Sequence, residues 1–371
     1  MFIKSNDQQF VGNRQDQPLT VSTLTRNELA ADSYNFESSL AVLQPDSVKG
    51  ISAFELSKPS VTQQITNTLN DRGAVLVREL GVDSLQQAED LLIRLGIEFD
   101  NHYVGGASPR SRLSDYFFTS TETPAPYVIS YHTEMCYLPE RPGKIFFYCI
   151  TAPEKYGETP VFDCQQIWML LPSPLKQKIE QLGLIYQRYF VAKKSRVLNV
   201  YKTWVDAFNV ADRQQAEAVL ENNNLQFEWQ ADGSLITYSK MPGVIKHPIS
   251  GEKCLSLTLY NSESASYDLK KFSNRINPVS RFFLSAFMRL LYSQKNVFMR
   301  TLWGDGSEIS AEETRQIIDT AWQASTLFKW QQHDLLLLDN IRYGHGRLNV
   351  KKPRKIAAAL GDVYKLPIVT Y

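Results

Sequence analysis

Apolar residues change their period several times along this chain, and each change predicts an element. Residues 1 to 50 mix Gln, Asn, Asp and Ser with scattered apolar positions and hold no period, which predicts an N-terminal extension packed on the body. Order begins at Ser60. Ser60 and Gln63 have capping-box spacing, Ile65 and Leu69 fall on one helical face and Gly73 supplies a stop, so a helix is expected, followed at once by a strand, Ala74 to Val77. The device recurs with Ser84 and Gln87 ahead of Ala88, Leu91, Leu92 and Leu95, ending at Gly96. A Gly/Ser/Pro-rich passage from Tyr103 to Pro126 has neither period, and a loop of that length in a compact body usually carries function.

From Tyr127 the texture is that of strands. YVISYHTEMCY and KIFFYCITA read as two of them, divided by a turn-like LPERPG. A helix is expected at about Gln165 to Leu171, residues 173 to 245 mix helical and strand segments, and HPISGEKCLSLTLY reads as a turn entering a strand. Two amphipathic helices follow, one near Val279 to Leu291 and one capped by Ser310 with Glu313 and carrying Ile317, Ile318, Ala321 and Trp322. LFKWQQHDLLLLDN and RKIAAALGDVY read as strands around a loop, YGHGRLNVKKP. Strands that bracket the chain while helices fill its interior suggest a β-sandwich or β-helix core with helical decoration.

Length and composition narrow this picture. The 371 residues are 43% hydrophobic, 21% charged and 12% aromatic, which excludes a disordered or collagen-like chain and leaves room for one to three domains. Forty Lys and Arg against 39 Asp and Glu give a net charge of +1, so nucleic acid is not the expected partner. The four cysteines, Cys136, Cys149, Cys164 and Cys254, lack C-x-x-C spacing and read as reduced thiols of a cytoplasmic protein. No apolar run approaches the ~18 residues that cross a bilayer, so a membrane location is not expected either.

The candidate chemistry starts at His132. In the expected strand, His132 and Glu134 stand at i and i+2 and project from one face, placing an imidazole and a carboxylate in one volume. A third ligand must come from elsewhere, and His345, between Gly344 and Gly346 after an apolar strand, is the best candidate. Two histidines and one carboxylate form the facial triad of non-haem Fe(II) oxygenases, which leaves positions open for a co-substrate and O₂. Downstream, Arg347, Lys351, Lys352, Arg354 and Lys355 crowd one turn, and a guanidinium there would suit the distal carboxylate of 2-oxoglutarate.

These residues sit in longer motifs: GGASPR at 105 to 110, YHTEMCY at 131 to 137, KIFFYC at 144 to 149, GETPVFD at 157 to 163, HPISGEK at 247 to 253, LLLLDNIRYGHGR at 335 to 347 and RKIAAALGD at 354 to 362. From Ser60 to Tyr364 the chain resembles the taurine dioxygenase-like Fe(II)/2-oxoglutarate-dependent oxygenases, in the branch with clavaminate synthase-like enzymes and the syringomycin-pathway aspartyl hydroxylase. The resemblance implies a mainly β fold with helices, a double-stranded β-helix (jelly-roll) core with large helical insertions. Residues 51 to 371 would then form a single oxygenase domain with a helical insertion at about 173 to 330.

It also implies that His132, Glu134 and His345 match the iron ligands and that Thr159 matches a threonine bonded to 2-oxoglutarate. Arg354 best matches the arginine on the distal carboxylate, with Arg347 and Lys355 as alternatives. Fe(II) is the implied cofactor, with 2-oxoglutarate and O₂ as co-substrates. Because Glu134 is retained, halogenation is disfavoured and hydroxylation is expected, with desaturation or cyclisation as alternatives. The implied substrate is an amino acid or an amino-acid-derived metabolite of secondary metabolism, free or tethered to an acyl or peptidyl carrier protein. A non-catalytic Fe(II)/2-oxoglutarate-binding regulator of the same fold is the competing reading. The family's polar run after HP-x-x-GEK is replaced here by CLSLTLYN, which leaves substrate contacts in that strand open.

Ser108, Arg110 and His102, in or beside the Gly-rich loop, are candidates for substrate contact. Cys136 continues the i, i+2 series but reads as a buried apolar-type thiol, since a thiolate there would block a co-substrate position. His247 and His333 read as surface or turn residues, and Phe117-Phe118 and Phe146-Phe147-Tyr148 as core. The basic clusters Lys193-Lys194-Ser195-Arg196 and Lys270-Lys271 read first as solvated surface, with an acidic partner such as a carrier protein as the alternative.

Overall fold

The run Leu335–Leu338 has no polar face, so its strand must be covered on both sides. In the computed structural model all four leucines are fully buried. They alternate between two cores: Leu336 and Leu338 join the main cluster, while Leu335 and Leu337 join a second one. The neighbouring strands alternate in the same way, with Phe147 and Ala358 facing the first core and Phe146, Tyr148, Ala357 and Ala359 the second. At about 1.5–3 kcal/mol for each buried large apolar side chain, this layer is a principal anchor of the fold.

The structure describes residues 19–24, 40–45, 55–100, 110–120, 127–193, 201–294, 296–350 and 353–366. In chain order these carry β1 (Leu19–Thr23), β2 (Ala41–Pro45), α1 (Pro59–Arg72), β3 (Ala74–Val77), α2 (Leu85–Arg94), β4 (Phe118–Thr119), β5 (Ile129–His132), β6 (Glu140–Thr151) and β7 (Val161–Asp163). Then come α3 (Cys164–Leu170), α4 (Ser173–Leu182), β8 (Leu184–Phe190), α5 (Trp204–Phe208), α6 (Arg213–Asn222), β9 (Gln226–Trp229), β10 (Leu235–Met241), β11 (Val244–Lys246) and β12 (Lys253–Leu255). The last third holds α7 (Ser262–Lys271), α8 (Pro278–Ser293), β13 (Met299–Trp303), α9 (Ala311–Gln323), β14 (Ser325–Thr326), β15 (Leu335–Asp339), β16 (Tyr343–Arg347) and β17 (Lys355–Lys365).

A seven-stranded sheet, β1-β2-β3-β15-β6-β17-β4, is antiparallel except where β2 meets β3. A four-stranded sheet, β14-β7-β16-β5, shares the main core with it through Tyr131, Val161, Phe162 and Tyr343, and together they form the jelly roll. On the other face of the large sheet, α1 and α2 supply Val61, Ile65, Leu69, Ala88, Leu91 and Leu92 to the second core.

Several expectations change. Ser60 does not cap α1: the helix starts at Pro59, with Lys58 at the cap position, because a proline needs no partner for a missing N–H. Gly73 does close it, at φ 74°, with its N–H on the Leu69 carbonyl. Ser84 caps α2 and Ser310 and Glu313 form the capping box of α9 as their spacing predicts. LPERPG is not a free turn, since β6 already begins at Glu140. The extension contributes β1 and β2 to the large sheet. Residues 173–330 carry helices together with a four-stranded antiparallel sheet, β13-β8-β10-β9, and the β11-β12 hairpin.

Candidate active site

The two histidines meet because two strands pair. In the register of β16 against β5, His345 lies opposite His132, and the rings stand 4.2 Å apart. The expected loop around His345 is therefore a strand. Its flanking glycines serve close packing: a Cβ on Gly344 would stand 2.4 Å from the Tyr131 ring, and one on Gly346 would stand 2.6 Å from the Ile129 carbonyl.

Glu134 arrives by a different route from the expected i, i+2 alternation. β5 ends at His132, and the chain turns through Met135 at φ 57°. Asn340, buried just after β15, holds that turn. Its Oδ1 accepts the Glu134 N–H at 2.8 Å, and its Nδ2 donates to the carbonyls of Glu134 (3.0 Å) and Pro142 (2.8 Å). Asn340 thus pairs backbone groups that a continuing strand would have paired. Its place in the sequence carries one signal, a polar Asp-Asn pair closing an all-apolar run.

The outcome is one convergent donor set. Ligand atoms of His132, Glu134 and His345 lie within 4.8 Å of one another, with His345 Nε2 3.8 Å from Glu134 Oε2. His132 Nδ1 sits 2.9 Å from the Ser130 carbonyl, which places its proton there and leaves the Nε2 lone pair available. The Ser130 hydroxyl in turn donates to Asp268, which also accepts from Trp322 Nε1 at 3.0 Å, tying β5 to α7 and α9. Burial holds the pKa of both imidazoles below the ordinary histidine range, so they stand neutral, the form that donates to a metal. Two neutral nitrogens and a carboxylate oxygen fit a divalent first-row ion.

Arg110, a candidate for substrate contact, lines the same cavity as Glu134, donates from Nη2 to Glu134 Oε2 at 2.9 Å and lays its guanidinium 4.7 Å over Phe118. Thr159 is buried, and its hydroxyl accepts from Arg354 Nη2 (3.0 Å) and Trp330 Nε1 (3.2 Å). Arg354 Nε donates to the Gly157 carbonyl at 2.8 Å. Gly157, at φ 77°, leaves room for that side chain, because a Cβ there would come within 3.0 Å of Arg354 Cδ. Arg347 Nη2 donates to the Tyr127 carbonyl at 2.8 Å.

Burial, with Arg347 alongside, pushes Arg354 down to about 9, and burial pushes Arg347 down to about 10. Both remain cations at neutral pH, and two such neighbours in one enclosed site favour an anion. Lys355, the alternative, is exposed. Ser108, His102, Lys351 and Lys352 lie outside the described residues.

The other candidates resolve without a site role. Cys136 is fully buried, with Sγ 3.1 Å from Thr258 Oγ1 and 3.4 Å from the Tyr186 hydroxyl, as its core reading predicts. His247 does open a turn, with the Gly251 N–H on its carbonyl, but it is not at the surface: it is buried, Nδ1 accepts from Ser250 N–H and Nε2 bonds Asp339 Oδ2 at 2.8 Å. It thereby braces the Asp339 turn between β15 and β16. His333 does occupy a turn, beside the Tyr148 hydroxyl at 2.7 Å.

His132, Glu134, His345, Thr159, Arg347 and Arg354 all line one cavity of about 260 Å³. Leu259 and Tyr260, from the departing CLSLTLYN run, line it too, with Tyr137, Met288, Tyr292 and Phe298.

A model of the taurine catabolism dioxygenase TauD, TfdA family matches residues 39–359. The chain belongs to the TauD/TfdA family. This TauD/TfdA protein is therefore an Fe(II)/2-oxoglutarate-dependent dioxygenase with a jelly-roll core. It is 28% identical over 298 residues to the dapdiamide synthesis protein DdaC of Enterobacter agglomerans, covering 80% of this chain and 84% of that protein. To the clavaminate synthase-like protein of Arabidopsis thaliana it is 27% identical over 330 residues, 86% of this chain and 92% of that one. A structure of PvcB, described as an Fe, alpha-ketoglutarate dependent oxygenase from an isonitrile synthetic pathway, aligns at TM-score 0.54 and 13% identity, over 95% of this chain and 96% of that one. Among the described residues of the TauD/TfdA chain, no helix is long and apolar enough to cross a membrane.

Proposed function

We propose that this dioxygenase hydroxylates an amino acid or an amino-acid-derived metabolite of secondary metabolism, free or tethered to a carrier protein. His132, Glu134 and His345 hold Fe(II), Thr159 and Arg354 receive the distal carboxylate of 2-oxoglutarate, and Arg347 adds positive charge beside them. The observation that carries the reading is the His345–His132 register, with Asn340 holding Glu134 beside both rings. When bound, iron would bring together O₂, the oxidant, and 2-oxoglutarate, which would lose CO₂ and take up one oxygen atom as succinate while the other oxygen goes to the substrate.

The chain's own residues orient and insulate. Neutral imidazoles donate lone pairs without competing protons, and the Ser130 carbonyl fixes the His132 ring. Arg354, partly buried, and Arg347, buried, offset the co-substrate's dianionic charge. Glu134 fills the carboxylate position that halogenation would leave vacant, and this favours hydroxylation. Two relatives are named for small-metabolite routes, dapdiamide synthesis and an isonitrile pathway, which supports a substrate of that kind.

The test begins with an anaerobic titration of Fe(II) and 2-oxoglutarate, followed by the weak visible band of the chelate. O₂ is then added with panels of free and carrier-tethered amino acids, scoring succinate and substrate mass. One added oxygen with substrate-stimulated succinate is expected. Loss of two hydrogens would replace hydroxylation by desaturation or cyclisation, and succinate that no substrate stimulates would favour a binding regulator.

A further inference from the structure

We infer that the outer face of α8, with the groove between α7 and α8, is a docking surface for an acidic carrier protein that presents the substrate to the cavity. The inference rests on the proposed oxygenase reading and extends it to how substrate arrives.

α8 is apolar on two sides: Leu284 and Leu291 are buried against the body, and a second apolar set faces outward. Val279, Phe282, Phe283 and Leu290 fall on one helical face and are 63%, 69%, 66% and 64% exposed. A face of that kind on a single helix marks a contact surface more often than chance. Beside it runs a basic groove: Lys270 and Lys271 from α7, Arg281 and Arg289 from α8 and Arg315 from α9 line it, against one carboxylate, Glu263. That carboxylate accepts from Arg315 Nη1 at 2.9 Å, and Arg315 also reaches Glu312 at 3.3 Å. On the same side, Asp319 accepts from the Tyr267 hydroxyl. Lys270, Arg281 and Arg289 thus add positive charge to this face on a chain whose net charge is +1.

The inner side of the same helix links this surface to catalysis. Met288 and Tyr292 line the active-site cavity, while Leu284 sits in a small cluster with Leu269 and Ile276 that is separate from both main cores. A partner seated on α8 would therefore rest against the wall of the substrate chamber. Charge decides which partner. A second copy meeting this face about a two-fold axis would set these cations against themselves, and a groove that is concave suits a protruding acidic helix better than a flat bilayer.

The experiment uses the full-length protein loaded with Fe(II) and 2-oxoglutarate under argon. Recombinant holo peptidyl carrier proteins loaded with proteinogenic amino acids are titrated by fluorescence anisotropy at low and high salt. Anionic phosphatidylserine vesicles and sedimentation of the enzyme alone run in parallel. Salt-sensitive carrier binding is expected, weakened about 10-fold or more by R281E/R289E and by F282S. Turnover of carrier-tethered substrate should fall with it, while the chelate band and turnover of free amino acids stay unchanged. Wild-type carrier affinity in these variants overturns the inference, as does a variant-sensitive interaction seen only with vesicles or only between copies of the enzyme. A missing chelate band in the unmodified protein would instead overturn the oxygenase reading, so the two failures are told apart.

Discussion

One cavity has two walls built on different principles. On the ligand side, His132 and His345 stand on paired strands whose sheet packs against the seven-stranded sheet over a common core, and Glu134 is held through its backbone by Asn340. On the other side, Met288 and Tyr292 come from α8, whose satellite cluster is three residues, Leu269, Ile276 and Leu284, with Tyr127 and Met288 beside it. Where chemistry must be the same in every turnover, position is fixed by the deepest packing; where a particular molecule must be chosen, it is set by a helix near the surface. Changes on the first wall should abolish or weaken chemistry for every substrate, and changes on the second should discriminate among substrates.

The largest effect is expected for His345→Ala. Removing one of three ligands should eliminate the chelate band and lower turnover by about 10³-fold or more. A variant that keeps both the band and its activity would break the ligand assignment. Arg354→Gln comes next: loss of a charge-assisted pair worth about 1.5–3 kcal/mol should raise the KM for 2-oxoglutarate by roughly 10- to 100-fold, with iron affinity unchanged. An equal loss of iron affinity would mean that Arg354 serves the metal and not the co-substrate.

Asn340→Ala tests whether the ligand wall depends on its bracing. Three hydrogen bonds disappear and the Glu134 turn loses its partner, so stability should drop by about 1–3 kcal/mol and iron affinity by about 10-fold. Denaturant midpoints and iron titration read the two separately, and unchanged iron affinity would refute a positioning role. Met288→Ala, on the opposite wall, should leave the chelate band and the 2-oxoglutarate KM alone while shifting substrate preference by about 10-fold, the scale of a pocket contact. If Met288→Ala disturbed the band, the division between the walls would fail.

Those walls differ in how legible they were. The residues proposed to hold iron stand out in the sequence, yet the structure brings them together by another route: the spacing predicts His132 and Glu134 on one strand face, whereas Glu134 lies past the strand end in a turn kept by a residue far along the chain. Period reads local alternation and cannot report a distant side chain that captures a turn. The glycines beside His345 mimic turn chemistry and predict a loop, although they serve the close approach of Tyr131 and the β5 backbone. The Leu335–Leu338 run, fully apolar, announced a strand covered on both faces. The pattern of α8 predicts an amphipathic helix, but its apolar residues occupy two sides, and the period does not show that only the side with Leu284 and Leu291 is buried.

pH gives the smallest effect and a last way to separate the walls. Burial lowers the pKa of His132 and His345 from the usual 6.5. As pH falls through that value the unfolded chain takes up protons that the folded chain still refuses, so the unfolded state binds more and gains relative stability. The contribution of these two groups is thus present above pH 6.5 and lost as pH falls toward their lowered values. No histidine lies on α8, so the α8 wall adds nothing to this window. Burial pushes Asp334 up to about 6, and its protonation in the folded chain opposes the histidines over the same window. The histidine share is therefore read by difference: the fall of the metal-free protein's urea midpoint between pH 7.5 and 5.5 should shrink in a His132→Gln/His345→Gln variant. It should persist in Met288→Ala. A fall of equal size in the double histidine variant would show that the acid sensitivity belongs to other groups and that the ligand wall is not where the protons enter.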